Sequence, residues 1–243
     1  NYPDMLVDTL AYQFTREPPK DMTMNKNVVI RYAPYVACIY HAYDDCGVNN
    51  VQGIYTDLVK WAKMSERVWV WSYVIPDHPL HPIPVISCMS RQFKRMRDAG
   101  VKGHLIEAVA NGRQGLISGG LLDLQWYLYA KLMWDPDYDV QKGIEEFARD
   151  NYGAAAPQIV SYVKMINDPD TYRVKGGPSV YDELYAGHKA WTPIKKNRLK
   201  RMDRLFDKAE QAVAADPKAL LRVRSVRLSL QYAIIRYADE SDP

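Results

Sequence analysis

Glu107 is the residue whose setting most demands a chemical explanation. It stands beside Leu105, Ile106 and Ala108 at the end of an apolar run, where a carboxylate must be solvated by a cleft or satisfied by a partner. In a cleft it could orient a ligand hydroxyl or take part in acid–base chemistry. As a structural group it would pair with Arg31. Tyr12, Trp71 and Tyr73 form a second set, since each offers an apolar ring face with a polar edge. His41, followed by Asp44, Asp45 and Cys46, is a third. Such a group can suggest a metal, although a histidine in a polar loop more often makes ordinary hydrogen bonds.

Four short apolar segments must position these side chains: Met5–Tyr12, Asn27–Ala33, Val68–Ile75 and Lys102–Ala108. The third is apolar at nearly every position, as expected of a strand covered on both faces of a parallel sheet. Helical spacing joins Val51, Ile54, Leu58 and Trp61, and again Ile86, Met89, Phe93 and Met96, with Gly100 as a stop. Residues 27–108 therefore read as consecutive βαβ units. The stretch Thr15–Lys26 contains Pro18-Pro19 and no helical pattern, so it is expected to cross over as an extended loop.

From residue 121 the pattern is helical. Leu121–Met133 is an apolar helix stopped by Trp134-Asp135-Pro136. Asp139 caps a helix carrying Val140, Ile144 and Phe147, and another follows from about Pro157 with Ile159, Val163 and Ile166. Residues 168–178 read as a loop. Two further helices open at Thr192-Pro193 and Asp216-Pro217 and are expected to form an antiparallel hairpin. The fold class is α/β, in two parts. Residues 1–135 form half of a (β/α)8 barrel with four parallel strands, and residues 136–243 form an α-helical extension. Four strands cannot close a barrel, which takes eight, so the chain reads as half a fold.

Ligands meet such folds at the C-terminal strand ends. That rule selects Tyr12 and Gln13, Arg31 and Tyr32 with His41, Asp44 and Asp45, Trp71-Ser72-Tyr73 with Asp77, His78 and His81, and Glu107 with Asn111. His78 and His81 lie in a proline-rich loop and serve either as cleft wall or as ordinary exposed residues. The chain holds 18 Tyr and 6 Trp against 4 Phe, a balance that suits sugar rings with their C–H faces and hydroxyl rims, or half-buried positions at element ends.

Other classes are excluded. The net charge of +3 is too small to draw the chain to nucleic acid or membrane by field alone, and no apolar run approaches a membrane span. The basic cluster Lys195–Arg204 is interleaved with Asp203, Asp207 and Glu210 and reads as a solvated helix face. There is no phosphate-binding glycine loop, zinc-protease motif or nucleophile elbow. Three cysteines leave a Cys38–Cys46 disulfide open as one option. No cofactor or metal set is implied.

The run Thr9-Leu-Ala-Tyr-Gln-Phe-Thr-Arg-Glu-Pro-Pro-Lys20 followed by Asn27-Val-Val-Ile-Arg31 closely resembles domain-of-unknown-function family 4838, whose members include glycoside hydrolase family 163. His41 with Asp44 and Asp45, Trp61-Ala-Lys63, Trp71-Ser-Tyr73, Gly100-Val-Lys-Gly103, Glu107, Ala130-Lys-Leu132, Trp134-Asp-Pro-Asp137 and Tyr152-Gly153 extend the likeness over about residues 1 to 165. The resemblance implies an exported bacterial barrel hydrolase acting on glycans, of the retaining endo-β-N-acetylglucosaminidase type. There the substrate acetamido group attacks the anomeric carbon while one carboxylate orients it and another protonates the leaving oxygen. The strands here would be the fifth to the eighth, which puts the acid pair upstream of Asn1. The expected partners are thus the glycan and the missing N-terminal half. Tyr12, Arg31, His41, Trp71, Tyr73 and Glu107 would contact the sugar. Where the family usually shows Trp-Asp-Tyr, this chain has Trp71-Ser72-Tyr73, which would exchange an acid at the cleft for a hydroxyl. A non-catalytic carbohydrate-binding module and a purely structural half-domain are the alternatives.

Overall fold

The computed structural model of the chain describes residues 4–45, 47–73, 80, 82–107, 121–171 and 194–236. Four strands, β1 (Val7–Tyr12), β2 (Val28–Ala33), β3 (Val68–Tyr73) and β4 (Gly103–Glu107), lie in one sheet in sequential order, and every pair is parallel. Parallel neighbours require a crossover each time. α2 (Ile54–Met64) and α3 (Ile86–Asp98) supply the second and third crossovers, at the places where the apolar spacing predicts helices. The first is the expected extended connection. Its only helical turn is a short 3-10 segment at Gln13–Thr15, and the Trp61 indole N–H anchors it by donating to the Arg16 carbonyl at 2.7 Å.

One expectation fails at the start of α2. The apolar spacing groups Val51 with Ile54, Leu58 and Trp61, but Val51 belongs to a separate short helix, α1 (Gly47–Val51), and is exposed. Gly53 at φ +67° breaks the helix between them, a backbone conformation that costs glycine nothing. Ile54, Leu58 and Trp61 are buried as expected.

The helices α4 (Leu122–Trp134), α5 (Val140–Tyr152), α6 (Ala156–Ile166), α7 (Lys196–Ala212) and α8 (Pro217–Arg236) follow. Asp139 caps α5 by accepting from the Lys142 N–H at 3.1 Å, and Asp216 caps α8 by accepting from Lys218 and Ala219 at 3.0 and 3.1 Å. α7 and α8 pair antiparallel. Arg227 reaches Asp203 and Asp207 as well as Glu210, while Arg224 reaches Glu210. Residues 192 and 193, expected to open α7, lie outside the described residues.

Two buried clusters hold the chain together. The smaller lies between the sheet and α2, around Ile30, Tyr32, Leu58, Trp61, Val68 and Val70. The larger starts at Ile86, Met89 and Phe93 of α3 and continues without a break through α4 to α8. The helices on either side of residue 135 therefore share one core.

Among the described residues the sheet is covered on one face only. Val68, Val70 and Ser72 alternate with Trp69, Trp71 and Tyr73, and the first three turn towards the helices. On the opposite face Leu10 and Trp69 are exposed. Both faces of a parallel sheet are ordinarily buried, so this bare face is the feature that positions the site.

Candidate functional site

Strand alternation and register assemble the bare face. β1 contributes Asp8, Leu10 and Tyr12, and the register sets Leu10 opposite Arg31. β3 contributes Trp69, Trp71 and Tyr73, which stand opposite Gly103, Leu105 and Glu107 of β4. Gly103 has a steric role here. A Cβ at this position would lie 2.8 Å from the Trp69 ring, so glycine is what lets the indole lie across β4.

Five of the six predicted ligand-contacting residues meet in a continuous chain of contacts. The Tyr12 and Tyr73 rings stack at 6.3 Å and 28°, and Tyr73 stacks on Trp71 at 6.3 Å and 20°. Parallel rings so arranged form a platform along the C-terminal edge of the sheet. The Trp71 Nε1–H donates to Glu107 Oε2 at 2.9 Å. The Arg31 guanidinium lies 5.6 Å from the Trp69 ring and 5.8 Å from the Trp71 ring, within the range of cation–π attraction.

Glu107 does not pair with Arg31. Arg31 forms its ion pair with Asp8 on the neighbouring strand, leaving Glu107 to the indole. The Arg31 Nε is buried and has no acceptor among the described residues, so one donor of the guanidinium remains unspent. Burial, with Tyr12 and Glu107 beside it, pushes the Tyr73 hydroxyl well above the usual phenol range. It stays protonated and can donate at any ordinary pH.

His41 stands apart from this array. Its Nδ1 lies 3.2 Å from the Cys38 Sγ. It shares a cavity of about 40 Å³ with Tyr43, Ser72 and Tyr73, a space for water and not for a sugar ring. Asp44 and Asp45 turn away to Arg91, with Asp44 also meeting Arg95 at 2.7 Å. The Arg91 bond and both guanidinium charges hold the Asp44 carboxyl below the usual carboxylate range against the opposing effect of burial. They tie the β2–α1 connection to α3, which removes them from the candidate site. Among the described residues no three His, Cys, Asp or Glu side chains converge on a metal position. Cys46, and with it the Cys38–Cys46 disulfide option, lies outside the described residues. So do Asp77, His78, His81 and Asn111.

Ser72 also departs from expectation. It is buried on the helix-covered face with its Oγ 3.5 Å from the Tyr43 hydroxyl, so the serine in Trp71-Ser72-Tyr73 does not present a hydroxyl to the bare face. Gln13 holds the Tyr12 hydroxyl at 3.3 Å, and Tyr32 donates to the Ile54 carbonyl beneath the sheet. The residues missed were Asp8, Trp69 and Tyr35. The first two were accessible from two-residue periodicity, counting back from Tyr12 and Trp71. Tyr35, edge-on to Tyr73 at 5.0 Å and to Tyr12 at 6.1 Å, sits in a connection where no periodicity applies.

The helices bring no membrane-spanning segment: none among the described residues is long and apolar enough to cross a bilayer. No curated protein matches the chain, and no solved structure matches it. Residues 1–164, which run from β1 through most of α6 and include every member of the aromatic platform, match the family model described as domain of unknown function (DUF4838). The chain belongs to the DUF4838 family.

Proposed function

We propose that this chain forms one wall of a glycan-binding cleft in a glycoside hydrolase. In this reading residues 1–135 are the C-terminal half of an eight-stranded barrel and residues 136–243 are its helical extension. The single observation that carries the reading is the sheet face left uncovered among the described residues. It bears the Tyr12–Tyr73–Trp71 platform beside Glu107 and Arg31 at the C-terminal strand ends. Ring faces of that kind stack on the C–H faces of a pyranose, while the Glu107 carboxylate and the Tyr73 hydroxyl take its hydroxyls. A complementary half-barrel would cover the same face and complete the cleft.

Chemistry needs two carboxylates at the scissile bond; in the acetamido-assisted route one orients that group and the other protonates the leaving oxygen. On the bare face of these strands Asp8 is committed to Arg31, which leaves Glu107 alone. As the family resemblance implies, the acid pair belongs to the half-barrel upstream of Asn1. The reaction is a retaining endo-β-N-acetylglucosaminidase-type cleavage, as in glycoside hydrolase family 163. Among the described strand residues of this face only Glu107 is a carboxylate without an ion pair, which favours the second reading, a carbohydrate-binding wall without chemistry of its own.

The test compares this chain with a chain extended upstream by about one half-barrel, assayed on N-glycans and aryl N-acetylglucosaminides. Release of a reducing sugar by the long form, abolished by Trp71→Ala or Glu107→Gln while the fold survives, is the expected result. A folded long form that binds glycan without cleaving it would leave only the binding reading. One that neither binds nor cleaves would overturn both.

A further inference from the structure

The charge pattern of α7 changes meaning once its partner is in place. In sequence the cations of Lys196–Ala212 alternate with Asp203, Asp207 and Glu210 and look balanced. In the structure all of those acids turn to α8. Arg227 takes Asp203 at 2.7 Å, Asp207 at 2.8 Å and Glu210 at 2.8 Å, and Arg224 takes Glu210 at 3.1 Å. The opposite side of α7 is left with exposed Lys200, Arg201, Arg204 and Lys208, none with an acidic partner among the described residues. Arg198 alone is compensated, by Asp168 at 3.1 Å.

This side is also concave. A depression of about 490 Å³ is lined by Asn197, Arg198, Lys200, Arg201 and Arg204. A second, of about 340 Å³ between α6 and α7, shares Arg198 and Arg201 and adds Lys164, with Asp168, the partner of Arg198, as its one acid among the described residues. Helix geometry spaces Arg198, Arg201, Arg204 and Lys208 over about 15 Å, at 1.5 Å per residue. Residues 172–193 include Arg173, Lys175 and Lys189 against Asp182 and Glu183, so their composition does not offset the excess.

We propose that the α6–α7 groove binds a linear acidic polysaccharide, through guanidinium and ammonium contacts to successive sulfate or carboxylate groups. Forked guanidinium donors suit planar and tetrahedral anions alike. The lining favours this partner over two others. Among the described residues it contains no aromatic ring on which a nucleobase could stack. It also has no exposed large apolar side chain to enter a bilayer; the exposed Leu221, Leu228 and Ile235 belong to α8. The proposal is independent of the sheet cleft, and both can hold or fail separately.

The experiment measures binding of the protein to heparin and to uncharged dextran as salt is raised. Arg201→Glu/Arg204→Glu is compared with Lys63→Glu/Lys102→Glu, which makes the same change in net charge on α2 and before β4. Thermal melting confirms that both variants fold. The expected result is heparin binding that falls at least about tenfold in the groove variant and little in the control, with no dextran binding. Equal losses in both variants would reduce the effect to net charge and overturn the proposal. So would duplex DNA or anionic phosphatidylserine vesicles binding as tightly as heparin with the same dependence on Arg201 and Arg204.

Discussion

His104 should make this protein sensitive to mild acid, in a way that can be traced to one side chain. It projects from β4 to the helix-covered face, with its ring 5.0 Å from Phe93, and burial alone lowers its pKa from 6.5 to about 4. The folded state therefore favours neutral imidazole, while the unfolded chain takes up a proton below 6.5. The stabilising contribution is complete above 6.5 and is lost as pH falls from there to about 4. A shift of that size amounts to about 3 kcal/mol in full, of which about 2 kcal/mol is gone by pH 5. The perturbation is His104→Leu, which keeps an apolar fill and removes the titration. Urea unfolding at pH 7 and pH 5, followed by tryptophan fluorescence, gives the difference directly. Wild type should lose about 2 kcal/mol more than the variant over that interval. Carboxylates such as Asp44 and Glu210 titrate in both proteins and cancel in the comparison. Equal losses in the two would show that His104 is solvated or paired, and the burial argument would fail. Because Glu107 lies on the same strand, loosening β4 should also weaken the Trp71–Glu107 contact over the same pH range.

Trp71→Phe keeps the ring stack but removes the donor to Glu107, which should cost about 1–2 kcal/mol. Chemical denaturation measures this, and no loss at all would mean that the bond does not persist in solution. Gly103→Ala should drive the Trp69 indole off β4, since the new Cβ would sit 2.8 Å from the ring. A shift in tryptophan emission with a loss of about 1–3 kcal/mol is expected. Arg227→Met strands Asp203, Asp207 and Glu210 on one side of the α7–α8 hairpin and should cost about 2 kcal/mol at neutral pH. Arg227 and Arg224 hold the Glu210 carboxyl below its ordinary range against slight burial. This contribution is therefore present above the unfolded pKa and disappears as pH falls. Melting curves of wild type and variant should converge as pH falls through the folded-state pKa of Glu210, and a gap that persists below it would point to lost packing instead of lost charge.

The strands and most helices were legible because their signals are local. Period-two alternation and continuous apolar runs mark β1 to β4, and Asp139 and Asp216 announce their helices through capping that involves only the next turn. That Tyr12, Arg31, Trp71, Tyr73 and Glu107 share one face of the sheet was also legible, because alternation along each strand fixes the side to which a residue turns. Val51 misled because a left-handed glycine two residues later resets the helix, and apolar spacing does not register a change of backbone sign.

What only tertiary structure decided is which partner each charged or polar group takes. Sequence allowed Arg31 and Glu107 to pair across the mouth of the sheet, but the fold gave Arg31 to Asp8 and Glu107 to Trp71. It placed acids along α7, but the packing of α8 claimed all of those that faced it and left a cationic groove behind. The physical reason is common to both cases. Secondary structure answers to neighbours a few residues away, whereas a charge is compensated by whichever opposite group the fold brings within about 4 Å. Identity and period along the chain therefore determine what a residue can do. Register and packing determine with whom.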